Sequence, residues 1–150
     1  MNSNNLIPNM VNVLIRNEQK YALLIHNIKH NSDRWEFPGG KVEEELRKKH
    51  LGLEIMAGRE AKQELDINIS FKAPYGTHIF GDYETQTPEG PFLCRTFFAK
   101  INHGTPKIME PDKHDAFDYF SYEGLLRLKD SGVLVPNLVS ALPEIRKYIA

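Results

Sequence analysis

Residues 53–67 read Leu53-Glu54-Ile55-Met56-Ala57-Gly58-Arg59-Glu60-Ala61-Lys62-Gln63-Glu64-Leu65-Asp66-Ile67. Leu53, Ala57, Ala61 and Leu65 recur every four residues, so the spacing predicts one helix with these four on its buried face. Gly58 weakens that helix by about 1 kcal/mol relative to Ala. After Asp66 the period changes to two, and Ile67–Phe71, Thr77–Phe80 and Phe92–Ile101 read as strands. Upstream, Met10–Arg16 and Tyr21–Ile25 are β-rich runs. The turn chemistry of Asn17–Lys20 between them predicts a hairpin. Trp35–Phe37 reads as a short strand that ends where Pro38-Gly39-Gly40 forces a turn. Gly81–Pro91 and Asn102–Asp115 read as polar connections, and Phe117–Phe120 as the last strand. Glu123–Leu128 reads as a short helix. Leu138, Leu142, Ile145 and Ile149 form the apolar stripe of a C-terminal helix, which Pro143 should kink or restart. Strands, helix, strands, helices in this order predict an α+β fold, a mixed sheet sandwiched between helices (α/β/α). The Asn-rich residues 1–9 read as a flexible N-terminus, and residues 10–150 as a single domain.

Composition narrows the functional classes. Apolar residues make up 41% and charged residues 26%, which excludes a disordered chain. Nineteen Lys and Arg against 20 Asp and Glu leave a net charge of −1. No global basic field exists to hold duplex nucleic acid or an anionic membrane. No apolar run approaches the ~20 residues that span a bilayer. The N-terminus has no basic and apolar leader, and Cys94 stands alone without a disulfide partner. These features predict a cytoplasmic protein. They leave the oligomeric state open, a homo-oligomer included.

The chemistry concentrates around the helix. Glu60 and Glu64 stand four apart and are neighbours on one face. Side by side they repel, and a hard divalent cation such as Mg²⁺ turns that repulsion into affinity. Pro38-Gly39-Gly40-Lys41 lies just upstream, where glycine backbone can approach a ligand closely. From Gly39 to Asp66 there are seven acidic residues, Glu43, Glu44 and Glu45 among them. A strand, a Gly-Gly turn, an acidic loop and an acidic helix suit a metal-bound polyphosphate.

The runs Trp35-Glu-Phe-Pro-Gly-Gly-Lys-Val-Glu43 and Arg59-Glu60-Ala61-Lys62-Gln63-Glu64-Leu65-Asp66-Ile67 resemble a Nudix hydrolase, with a MutT-type flavour of nucleoside triphosphate pyrophosphohydrolase. The resemblance covers about residues 10–149. The family pattern, G-x5-E-x7-R-E-U-x-E-E-x-G-U with U aliphatic, aligns Gly40 with its opening glycine. Arg59, Glu60, Glu64 and Ile67 hold its later positions. Gly40 and Arg59 are 19 residues apart where the pattern has 14, so five residues are inserted. The early Glu position falls on Leu46 or Leu51, Gln63 replaces the first of the paired acids, and Asp66 replaces the terminal Gly.

The resemblance implies hydrolysis of a nucleoside diphosphate linked to another group X. A nucleoside triphosphate going to monophosphate and pyrophosphate is the first expectation. Dinucleoside polyphosphates or nucleotide sugars are the alternative, and a lapsed domain that only binds nucleotides is a third reading. Mg²⁺ is the implied cofactor, with Mn²⁺ able to replace it. The implied metal ligands are Glu64, Glu60 and the Gly39 carbonyl, with Glu110 of the Glu110-Pro111-Asp112 loop next and Asp112 as its alternate. Glu60 would bind metal or orient the attacking water. Arg59 would brace the acidic cluster through Glu45 or Glu54.

Further residues carry substrate expectations. His26, Lys29 and Arg34 surround the strand that leads into the box and suit phosphate contact, as do Gly40 and Lys41. Trp35 and Phe37 suit either core or a base pocket. Asn137 opens the last helix and reads as a base contact by resemblance, or as a helix N-cap. Arg47, Lys48, Lys49 and His50 within the insertion read as an exposed excursion or a polyphosphate clamp. Tyr83 resembles a Tyr that diadenosine-tetraphosphate hydrolases carry. Cys94 reads as a small buried hydrophobe.

Overall fold

The computed structural model describes residues 8–42, 52–71, 82–88 and 90–150, with the backbone alone over 82–87. Glu43–Glu45, the insertion Leu46–His50, Leu51 and the expected strand Thr77–Phe80 lie outside the described residues, as does the side chain of Tyr83. The described residues form eight strands: β1 (Met10–Ile15), β2 (Ala22–Asn27), β3 (Arg34–Glu36), β4 (Gly39–Lys41), β5 (Asn68–Ser70), β6 (Asp82–Thr87), β7 (Gly90–His103) and β8 (His114–Phe120). Three α-helices accompany them among the described residues: α1 (Gly52–Leu65), α2 (Tyr122–Asp130) and α3 (Pro136–Ile149).

The strands form two sheets, where the sequence predicts one. The first has the order β4-β1-β7-β5, with β6 also on β7, and the second β3-β2-β8. Among the described strands only β1 and β7 pair in parallel, from Met10↔Cys94 to Ile15↔Ala99, so the first sheet is mixed. Here the hairpin expectation fails. The chain does reverse at Asn17–Lys20, where Tyr21 N–H donates to Asn17 Oδ1 at 2.9 Å. A single antiparallel bridge, Arg16↔Ala22, follows, and then β1 and β2 diverge into different sheets. Turn residues specify a reversal but not which strand becomes the partner.

Period-two alternation explains the sandwich. Val11, Val13, Ile15, Leu23, Ile25, Phe97 and Ala99 join Leu53, Ala57, Ala61 and Leu65 of α1 in one core. Their neighbours Leu14, Ala22, Leu24 and Phe98 face the opposite way, against Leu125 of α2 and Leu138, Leu142, Ile145 and Ile149 of α3. Strands covered on both faces read as continuous apolar runs, as β1 and β2 do. The four-residue stripes predicted for both long helices are therefore their packing faces.

Other expectations shift. Asp82–Thr87, read as a connection, pairs with Gly90–Arg95 as a hairpin. Its polar composition suits an edge strand and hides it from a hydrophobic reading. Helix α3 runs through Pro143 without a break. Pro8 is buried, and Asn9 lies between β7 and the residue that follows β4. Asn9 N–H donates to Leu93 O at 2.8 Å, and Val42 N–H donates to Asn9 O at 2.9 Å. Among the described residues no helix is long and apolar enough to cross a membrane.

Candidate active site

Gly39 and Gly40 form a strand, β4, where a turn was expected; the chain bends at Pro38. Neither glycine has positive φ. Close approach is what requires them. A Cβ on Gly39 would fall 2.3 Å from Val11 O, and one on Gly40 would fall 2.6 Å from the Glu60 carboxylate carbon. Val13 N–H donates to Pro38 O, and Val42 N–H to Asn9 O, so even-numbered residues of this stretch face β1. Gly39 then faces away from β1 at the sheet edge, and its N–H donates to Glu64 Oε1 at 2.9 Å. Its carbonyl points to the same side, because paired and unpaired positions alternate along an antiparallel ladder.

Glu64 is 5% exposed although it carries a carboxylate. Burial pushes its pKa up, the Gly39 N–H pulls it down, and the charges of Glu60, Glu36 and Glu110 raise it further, to about 9. The loop before β8 folds over this helix end: Lys107 N–H donates to Leu65 O and Met109 N–H to Glu64 O. That register brings in Glu110, whose Oε2 accepts from Gln63 Nε2 at 3.3 Å and from Lys113 Nζ at 3.1 Å. His114, at the start of β8, is 1% exposed. Its Nε2 lies 3.5 Å from Glu64 Oε2 and 3.6 Å from Glu36 Oε1. One donor atom each from Glu64, Glu110 and His114 lies within 4.8 Å of the others. A hexacoordinate ion with bonds of about 2.0–2.6 Å needs its donors no more than ~4–5 Å apart. The donor types and span therefore fit a divalent cation.

The sequence-predicted residues divide accordingly. Gly39, Gly40, Glu60, Glu64 and Glu110 come together. Glu110 rather than the exposed Asp112 joins the cluster. Glu60 stands against Gly40 rather than among the three clustered donors. Arg59 is exposed and makes no ion pair with another described residue, Glu54 included. His26 is not available to phosphate: Asp115 Oδ1 sits 2.6 Å from Nδ1 and Asp33 Oδ1 2.5 Å from Nε2. Phe37 is 3% exposed in the α3-side core, which removes it from a base pocket. Arg34 donates to Gly132 O at 2.8 Å, while Lys29 and Lys41 are exposed.

Asn137 is not the N-cap, which is Val135; its Nδ2 lies 3.4 Å from the buried Cys94 Sγ. Asp66 takes φ 55°, as a Gly replacement must, and pairs with Lys62 at 2.9 Å. Sequence reading missed His114 and Glu36. The Glu110-x3-His114 spacing was a signal, since Lys113 and His114 N–H both donate to Glu110 O and fold the segment into one turn. An open cavity of about 510 Å³, lined by Arg16, Lys20, Lys100 and Tyr119 among others, shares no residue with this centre.

A two-sheet sandwich with a carboxylate-bearing helix against a Gly-Gly edge strand defines a class, the hydrolases of pyrophosphate bonds. The NUDIX domain model matches residues 7–138, and the chain belongs to that family. A sequence comparison with curated proteins gives no match. Among solved structures, the MutT protein of Methanosarcina mazei Go1 is similar at 21% identity and TM-score 0.71, over 92% of this chain and 91% of that one. A Nudix hydrolase from Nitrosomonas europaea is similar at 18% identity and TM-score 0.70, over 93% and 88%. A C. elegans Ap4A hydrolase is similar at 16% identity and TM-score 0.66, over 93% and 95%.

Proposed function

We propose that the protein hydrolyses a nucleoside diphosphate linked to another group X, a nucleoside triphosphate first among them, with Mg²⁺ or Mn²⁺ as cofactor. One observation carries this reading: Glu64, Glu110 and His114 offer donor atoms within 4.8 Å of one another beside the outward peptide of Gly39. A bound divalent cation supplies charge neutralisation on the phosphate oxygens, the main requirement of phosphoryl chemistry.

The chain's own groups do the positioning. The Gly39 N–H fixes Glu64 Oε1, and Gln63 with Lys113 fixes Glu110 Oε2. Gly40 leaves room for the Glu60 carboxylate, which in this reading orients the attacking water and accepts its proton. The water oxygen bonds to phosphorus as the bridging P–O bond breaks, and pyrophosphate leaves. Lys41, Lys29 and Arg34 contact the phosphates and Asn137 the base. Ap4A is a second substrate to test, prompted by the similarity to the C. elegans Ap4A hydrolase.

A panel of nucleoside triphosphates, dinucleoside polyphosphates and nucleotide sugars, each with Mg²⁺ and with Mn²⁺, tests this by following phosphate and pyrophosphate. Pyrophosphate from a triphosphate is the expected result. Nucleotide binding without turnover under any metal would replace the enzyme reading with that of a binding domain.

A further inference from the structure

We propose that His114 is itself a metal ligand and that, with Glu64 and Glu110, it makes a one-imidazole, two-carboxylate centre selecting Mn²⁺ and Co²⁺ over Mg²⁺. The inference rests on the metal reading above and narrows it. Its starting point is an imidazole that the fold leaves without a partner. His114 is 1% exposed, and neither ring nitrogen has a hydrogen-bond partner. Buried polar groups are almost always hydrogen-bonded, so an exception calls for a bound group or a functional role. The His114 Nε2 faces Glu64 Oε2 at 3.5 Å and Glu36 Oε1 at 3.6 Å, both too long for a good hydrogen bond.

The neighbours are already arranged for ligation. Glu64 uses Oε1 on the Gly39 N–H, which leaves Oε2 as its nearer oxygen to His114. Glu110 is held through Oε2 by Gln63 and Lys113. Glu36 accepts from Asn27 Nδ2 at 2.9 Å and approaches the same ring nitrogen, Nε2, as Glu64 does. Mg²⁺ strongly favours oxygen donors, whereas an imidazole nitrogen suits the first-row transition ions. One nitrogen in the donor set therefore shifts selectivity without abolishing Mg²⁺ binding.

The main competing account makes His114 an imidazolium that neutralises Glu64 and Glu36. In that case a cation would compete with His114 rather than bind through it, and removing the ring would tighten all metals alike.

The test is calorimetric titration of the whole protein with Mg²⁺, Mn²⁺ and Co²⁺ separately, without nucleotide, for wild type and His114→Gln. Direct ligation predicts that His114→Gln weakens Mn²⁺ and Co²⁺ by at least about tenfold and Mg²⁺ by much less. His114→Glu, which restores a charged oxygen donor, should shift preference back toward Mg²⁺. A second readout needs no variant. Proton NMR of the Co²⁺-loaded wild type should show one strongly shifted, exchangeable imidazole N–H, and His114→Gln should lose it. Should the variants fail to fold, a Co²⁺ protein without that resonance overturns the proposal. Equal weakening of all three metals, or tightening of all three, overturns it too. Hydrolysis that proceeds while selectivity ignores His114 defeats only this inference, whereas metal selectivity through His114 without hydrolysis defeats only the reading of function.

Discussion

Gly40 and Glu60 fit one another as a gap and its filling: a Cβ on Gly40 would lie 2.6 Å from both the Glu60 carboxylate carbon and its Oε1. The two residues are twenty apart in sequence, on an edge strand and a helix, and the contact sets where the Glu60 carboxylate can stand. Gly40→Ala should therefore push Glu60 aside, because the obstacle is the end of a movable side chain. Turnover is expected to fall at least tenfold for a loss of stability of about 1–3 kcal/mol. Gly39→Ala meets backbone instead, with Val11 O at 2.3 Å, and should cost more stability than Gly40→Ala. Steady-state kinetics alongside urea denaturation of the two variants checks the contrast.

Glu64 and Gln63 are adjacent, yet their substitution should have opposite consequences. Glu64→Gln keeps an oxygen for the Gly39 N–H but removes the carboxylate that a cation would bind. Metal-free stability should be maintained, while the metal-induced rise in Tm disappears and kcat falls about 10²–10³-fold, as for loss of a charge-stabilising group. Gln63→Glu replaces a donor to Glu110 with a like charge, so the metal-free protein should lose stability. Bound cation relieves that repulsion, so Gln63→Glu should bind metal more tightly than wild type. Thermal melts with and without Mn²⁺ decide both.

His26 bridges two carboxylates, Asp115 and Asp33, and only its protonated ring can donate to both. Partial burial lowers its pKa, but the hydrogen bonds and charges of Asp115 and then Asp33 outweigh that, and the net shift is upward from 6.5. A raised folded value means the contribution is complete below the unfolded pKa and is lost as pH climbs through the folded one. The stability advantage of wild type over His26→Gln should thus be larger at about pH 5.5 than at about pH 8.5. An advantage that grows with pH would show that the ring is neutral in this bridge.

Pro143 lies mid-helix in α3 and is exposed. Its ring removes one helical hydrogen bond, and its side chain buries little. Pro143→Ala should raise stability by about 1–3 kcal/mol, the interior helix penalty of proline less what the fold already absorbs. Activity should not change. Denaturant unfolding of the variant measures it, and a loss of stability would mean the helix bends usefully at that residue.

The four-residue stripes of α1 and α3 were legible in the sequence because a helix repeats its face within a few residues. So were Gly39, Gly40, Glu60 and Glu64, since a resemblance preserves order even where five residues are inserted. Pairing was not legible: the β-rich runs Met10–Arg16 and Tyr21–Ile25 carry the same signal whether they join one sheet or two. β6 was hidden because an edge strand needs no apolar pattern. The grouping of Glu64, Glu110 and His114 exists only in the tertiary structure. His114 and Glu36 are 78 residues apart, and the one local signal, the Glu110-x3-His114 spacing, does not point to Glu36. Registration of the loop on Glu64 and Leu65 carbonyls brings Glu110 and His114 to the helix, and the β2–β8 pairing aligns β8 with the sheet that holds Glu36. Local periodicity arises from covalent geometry within a few residues, whereas a site's charge and ligands arise from long-range packing that no short window contains.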